Sequence, residues 1–164
     1  MRPLEEIAQA PWQARVALVV LFAALAASAF TDLRSRRIPN WVTLPALAII
    51  LVAFAQLGGP RLVGECVLGL AVCAAPMLIA WRLRAMGAGD VKLMMLPGAV
   101  SGAALGWPFS LTVLLSVTIA GGVQAAVWLA AARLRGAERP RSVPYGLAIA
   151  LGTLFAFAYG DRLI

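Results

Sequence analysis

The stretch RVALVVLFAALAASAF at residues 15–30, running straight into TDLRSRRIPN at 31–40, decides how this chain is built. An apolar run with one charge at its start gives way to a segment holding Asp32, Arg34, Arg36 and Arg37. Such a border is what a helix shows where it leaves the hydrocarbon of a membrane. Pro39 drives Ile38 toward extended backbone, so the first helix stops there. A second can begin at Asn40, whose side chain is suited to cap it.

The rest of the sequence repeats this alternation. Its 164 residues are 62% hydrophobic, with a mean hydropathy of +0.89. A soluble domain of that size needs more polar surface to cover its core. A membrane crossing takes roughly 20 apolar residues, so about six crossings with short loops fill the chain. The apolar runs fall at 15–30, 41–57, 62–81, 90–105, 108–132 and 143–159. The expected fold is therefore all-α: a polytopic membrane protein with six transmembrane helices in one bundle, a single domain over residues 1–164. Gly58, Gly59 and Pro60 mark the turn between the second and third runs. The fourth run is interrupted by Pro97, Gly98, Gly102 and Gly106. Neighbouring helices can re-satisfy such a backbone, and its two small-xxx-small steps favour close helix packing.

Charge sets the expected orientation. The loops after the first, third and fifth runs hold ten cations: Arg34, Arg36, Arg37, Arg82, Arg84, Lys92, Arg133, Arg135, Arg139 and Arg141. The opposite side holds four, Arg2, Arg15, Arg61 and Arg162. The positive-inside rule then puts both termini outside the cytoplasm and the arginine-rich loops within it. It also accounts for the net charge of +7 without a nucleic-acid partner, since the cations do not form one basic face. Glu5 and Glu6 leave residues 1–14 without the positive region of a signal peptide, so the first run is expected to be a retained span.

On this reading Asp32 and Asp90 share the cytoplasmic boundary. The chain has no histidine, so most hydrolytic chemistries lack their usual base, and two carboxylates can act as an acid–base pair. Asp32, at the end of a helix, meets the negative pole of its dipole, which favours the protonated form expected of an acid. Asp90, opening a helix after Gly87 and Gly89, reads as an N-cap whose ionised form is favoured, as expected of a base. The two glycines would also let an extended peptide approach it. Each aspartate has an ordinary alternative, as an arginine partner or a simple cap. Lys92, the one lysine, can snorkel to headgroups, orient Asp90 or touch substrate. A Ser–Lys pair using Ser35 or Ser142 lacks any motif. Cys66 and Cys73 stand two turns apart in one run, too far to bridge, and read as packing residues. Without a CxxC pair no zinc site is expected, and no metal or other cofactor is implied.

Three segments together resemble the type IV prepilin peptidases, polytopic GxGD aspartic proteases, and most closely their short form serving tight-adherence (Flp) pili. Asp32 with Arg34, Arg36, Arg37 and Ile38-Pro39-Asn40 is similar to the family's first aspartate motif. Gly87-Ala88-Gly89-Asp90-Val91-Lys92 is similar to its GxGDxK motif, and Val143-Pro144-Tyr145-Gly146-Leu147-Ala148 to the opening of its last helix. The resemblance implies a catalytic pair, Asp32 and Asp90, with Gly87, Gly89, Lys92, Pro39 and Asn40 supporting it or binding substrate. It implies a prepilin substrate whose basic leader is removed on the cytoplasmic side of a bacterial inner membrane. Lipids and the pilus assembly machinery would be the other partners. Longer members carry a tetra-cysteine loop and an N-methyltransferase activity; the expectation here is a peptidase without methyl transfer.

Two other functions fit the same composition. A small proton-coupled transporter also uses intramembrane carboxylates, though usually near the midplane and within repeats. A non-catalytic pilus assembly protein could hold the aspartates only as partners for arginine.

Overall fold

A computed structural model describes residues 10–84, 86–134 and 144–160. Arg2, Glu5, Glu6, Arg135, Arg139, Arg141, Ser142, Val143 and Arg162 lie outside the described residues, as do both chain ends. All described elements are α-helices: α1 (Trp12–Ser35), α2 (Asn40–Arg82), α3 (Ala88–Leu105), α4 (Trp107–Leu134) and α5 (Tyr145–Tyr159). Three of them, α1, α2 and α4, are long and apolar enough to cross a membrane.

The second and third apolar runs form one element that breaks at Gly58 and Gly59, where the backbone leaves the helical region and Gly59 takes φ +60°. Contacts with α3 show that the break is a reversal. Asn40, at the start of α2, bonds Lys92 near the start of α3. Past the break, Gly69 abuts Gly98, and Glu65 abuts Gly102 toward the end of α3. A straight helix of 43 residues would be about 64 Å long and could not bring both arms against the 18 residues of α3. So α2 is a helical hairpin with arms 40–57 and 60–82. Glycine supplies the positive φ of its turn, and Pro60 opens the second arm, a position where its missing N–H costs nothing.

The weakest of the apolar runs on sequence, α3, is the centre of the bundle. Leu93, Met94, Leu96, Ala99, Val100 and Ser101 are fully buried, and α3 packs on every other helix. In lipid the hydrophobic effect does not drive helices together; close packing and hydrogen bonds do. The small residues supply both. A Cβ on Gly98 would lie 2.6 Å from the Gly69 carbonyl oxygen and 2.9 Å from Cys73 Cβ, so the backbones meet only because both positions are glycine. Beside them Ser101 and Ser110 share a hydroxyl hydrogen bond of 2.7 Å, and Ser101 donates to the Gly98 carbonyl at 3.0 Å. Cys73 donates its thiol to the Ser110 carbonyl at 3.4 Å. Both cysteines are free and buried. Phe157 of α5 joins the neighbouring helices edge-on, against Phe22 of α1 (6.2 Å) and Phe109 of α4 (5.7 Å).

Helix ends depart from the sequence expectation in detail. The first helix continues past Phe30 to Ser35, so Asp32 lies in its last turn, and Arg36 closes it in the left-handed conformation (φ 52°). The Arg36 N–H returns to the Asp32 carbonyl at 2.9 Å. Asn40 does not cap the second helix. Pro39 occupies the N-cap without a side-chain bond, which frees the Asn40 amide for another partner.

Candidate active site

Four helix termini meet at one end of the bundle: the end of α1 and the starts of α2, α3 and α5. The last turn of α1 delivers Asp32, followed by Arg36 to Pro39 as the short link into α2. The link and the first turn of α3 touch closely, since a Cβ on Gly89 would lie 2.9 Å from Ile38 Cβ. Between them opens a pocket of about 470 Å³, lined by Asp32, Arg36, Arg37, Ile38, Pro39, Asn40, Gly87, Gly89 and Asp90. Both aspartates are largely buried, at 6% and 9% exposure, yet both reach this pocket. Glu65, the other acid among the described residues, lines a different pocket with Gly102 and Gly106, toward the far end of α3.

Each aspartate is held by one backbone amide. Asp90 is not the N-cap of α3 but its third residue, with Gly87 at the cap position. Its carboxylate reaches back to accept the Gly87 N–H at 3.1 Å, the acidic half of a capping box. This hold explains the first glycine of the motif: a Cβ on Gly87 would crowd Asp90 Oδ2 at 3.2 Å. Asp32 also differs from expectation. It does not simply face the negative end of its own helix, because its Oδ2 accepts the Gly146 N–H of α5 at 2.8 Å. Gly146 stands in the first turn of α5, where backbone N–H groups lack intrahelical partners and the dipole is positive. The helix-pole contrast that assigned Asp32 as acid and Asp90 as base is therefore offset. Both carboxylates accept a backbone N–H from the start of a helix.

Lys92 neither pairs with Asp90 nor only snorkels. It donates to Asn40 Oδ1 at 3.0 Å, tying the starts of α2 and α3 together at the rim of the pocket. Pro39, Asn40, Gly87 and Gly89 all line the pocket, and Lys92 is bonded to its rim at Asn40. Gly146 was not singled out by residue chemistry. Its signal was its place after Pro144, where a helix begins.

Pocket geometry fits acid–base hydrolysis of a bound chain. Two carboxylates face a common cavity that Arg36 and Arg37 also line. Among the described residues no group of three or more His, Cys, Asp or Glu side chains comes together as a metal site would require.

Comparison with known proteins gives the family of the chain. Residues 19–126 match the model of the type IV leader peptidase family, a range that includes both aspartates. The chain is 31% identical over 164 residues to a prepilin leader peptidase/N-methyltransferase of Aeromonas hydrophila, covering 94% of this chain and 53% of that protein. A protein of the same description from Legionella pneumophila is 28% identical over 170 residues, covering 94% and 55%. One from Xanthomonas campestris pv. campestris is 30% identical over 154 residues, covering 89% and 50%. The chain thus spans about half the length of the curated relatives it matches. No solved structure matches it. A family model covering more than half of the chain, around a pocket built by two aspartates, places this protein in the type IV leader peptidase family.

Proposed function

We propose that this protein is a membrane-embedded aspartic endopeptidase that removes the basic leader of type IV or Flp-type prepilins. The observation that carries the reading is that Asp32 and Asp90, on different helices, line one pocket. A single proton shared by such a pair leaves one carboxylate as base and the other as acid. A water between them gives a proton to the ionised carboxylate as its oxygen attacks the scissile carbonyl carbon. The protonated partner passes its proton to the carbonyl oxygen. As the tetrahedral diol collapses, one of its hydroxyls gives its proton to the ionised aspartate, the C–N bond breaks, the leaving nitrogen takes the proton of the other aspartate, and the one-proton state returns. Each well-placed transfer is worth roughly 10²–10⁴ in rate. Because each aspartate holds one backbone N–H, the two act as a coupled pair without fixed roles.

The bundle is read as six crossings: α1, the two arms of α2, α3, α4 and α5. Both termini lie outside the cytoplasm and the pocket faces it, at the inner membrane of a bacterium. This orientation rests on the arginines: Arg34, Arg36, Arg37, Arg82 and Arg84 cluster at the end that holds the aspartates, where they suit anionic headgroups. The substrate's apolar helix would lie beside the bundle with its leader extended across Gly87 and Gly89. Peptidase activity is proposed without methyl transfer, since both cysteines are packed within α2 rather than in a loop.

The test is reconstitution of the purified protein in vesicles with a prepilin and a methyl donor. Mass spectrometry should find the leader and a mature chain with an unmodified N-terminus. An intact prepilin would overturn the peptidase reading, and proton-gradient-driven flux without cleavage would replace it with a transporter. A methylated product would overturn the restriction to peptidase activity.

A further inference from the structure

Asp32 owes its backbone hydrogen bond to a helix that cannot cap itself. The N-cap of α5 is Pro144, which makes no side-chain cap bond. Asp32 fills that role from α1 through the Gly146 N–H, so the place of the first turn of α5 decides where the Asp32 carboxylate points. That turn is held from its other side by α4. Gln124 Nε2 donates to the Pro144 carbonyl oxygen at 2.6 Å. One turn earlier on the same face of α4, Gly121 is buried against the Tyr145 ring. A Cβ on Gly121 would collide with the Tyr145 hydroxyl and lie 3.0 Å from Tyr145 Cε1, so the ring sits there only because the position is glycine.

We infer that Gln124 and Gly121 are positioning residues: they dock the start of α5 so that its Gly146 amide holds Asp32 at the pocket. This inference rests on the peptidase reading for its catalytic consequence, but not for its structural one. The two hydrogen bonds form a continuous series from a part-buried amide on α4, through the Pro144 carbonyl and the Gly146 amide, to a carboxylate on α1. Neither Gln124 nor Gly121 lines the pocket, so their effect reaches the chemistry only through α5.

Two measurements on the full-length protein in vesicles test it, using Gln124→Met, which keeps the side chain's length and removes its donor. The first is hydrogen exchange at the Gly146 amide, which needs no activity. Gln124→Met should raise its exchange toward that of Asp32→Ala, and unchanged protection would overturn the inference. The second is prepilin cleavage. A 1 Å misplacement of a catalytic group costs about 10²-fold, so Gln124→Met should lower kcat roughly ten- to hundred-fold with KM near that of the wild type. Combined with Gly146→Ala it should lower kcat no further than the worse single variant, because both act on one contact. Losses that multiply, or that fall on KM alone, would overturn the inference while leaving the peptidase intact. A wild-type protein that cleaves no prepilin would sink the peptidase reading, and the exchange result would still decide the docking.

Discussion

Replacing Gly146 by alanine should separate catalysis from stability. An added Cβ would stand 3.0 Å from Asp32 Oδ2 and 3.1 Å from Asp32 Cβ, closer than most carbon contacts. Either the carboxylate or the start of α5 must give by a few tenths of an ångström, weakening the 2.8 Å bond between them. Overpacking of this kind costs about 1–3 kcal/mol, while alanine in place of a helical glycine returns up to about 1 kcal/mol. The net destabilisation is then about 0–3 kcal/mol, small enough for a folded protein at normal membrane levels. Catalysis is less forgiving. If 1 Å of misplacement costs about 10²-fold, a few tenths should cost about three- to tenfold in kcat. Gly146→Val, with two more carbons to place, should approach or pass 10²-fold. The assay is initial-rate prepilin cleavage at matched protein concentration, with thermal unfolding in the same detergent. Wild-type kcat in Gly146→Val would refute the role given to this amide, as would a loss of rate matched by a loss of folded protein.

Three further outcomes follow from the packing. Gly98→Ala should destabilise the protein by about 2–3 kcal/mol or more, because its Cβ would meet the backbone of the second α2 arm, which cannot rotate away. The unfolding midpoint would fall, and an unchanged one would contradict the close approach of α2 and α3. Lys92→Met should cost only about 0.5–1 kcal/mol, since its bond to Asn40 is exposed, and should be non-additive with Asn40→Ala in a double-mutant cycle of unfolding free energies. Additive losses would mean that the two residues act separately. Cys66 and Cys73 are both buried, so a soluble maleimide should label neither thiol until the protein is denatured. Rapid labelling of the folded protein would contradict the packing of the second α2 arm.

The helical architecture was legible because apolar runs, prolines and arginine clusters are local signals. The turn at Gly58 and Gly59 was readable for the same reason. What could not be read was any relation requiring two helices at once. The interruptions in the fourth run looked like weakness, yet Gly98 and Gly102 are what lets α3 sit at the centre. Asn40 had the composition of a cap but serves Lys92 instead, because Pro39 already occupies the cap position. The Asp90 motif predicted a helix start near the right place and missed the residue by one turn: Gly87 caps, and Asp90 answers from the third position. Asp32 was the deeper miss. Its own helix disfavours its charge, and no local pattern reveals that α5 offers an amide from 114 residues further along. The pairing of Asp32 with Asp90 at one pocket was an expectation from family resemblance and charge, and the structure brings both to it.

The most direct test of the whole account is single-turnover cleavage of a prepilin by Asp32→Asn and by Asp90→Asn, each at wild-type membrane levels, with Glu65→Gln as the control. The account predicts that each asparagine lowers the rate by at least about 10²-fold, the scale of one lost proton transfer, while Glu65→Gln cleaves normally. Cleavage at the wild-type rate by either asparagine variant would contradict it.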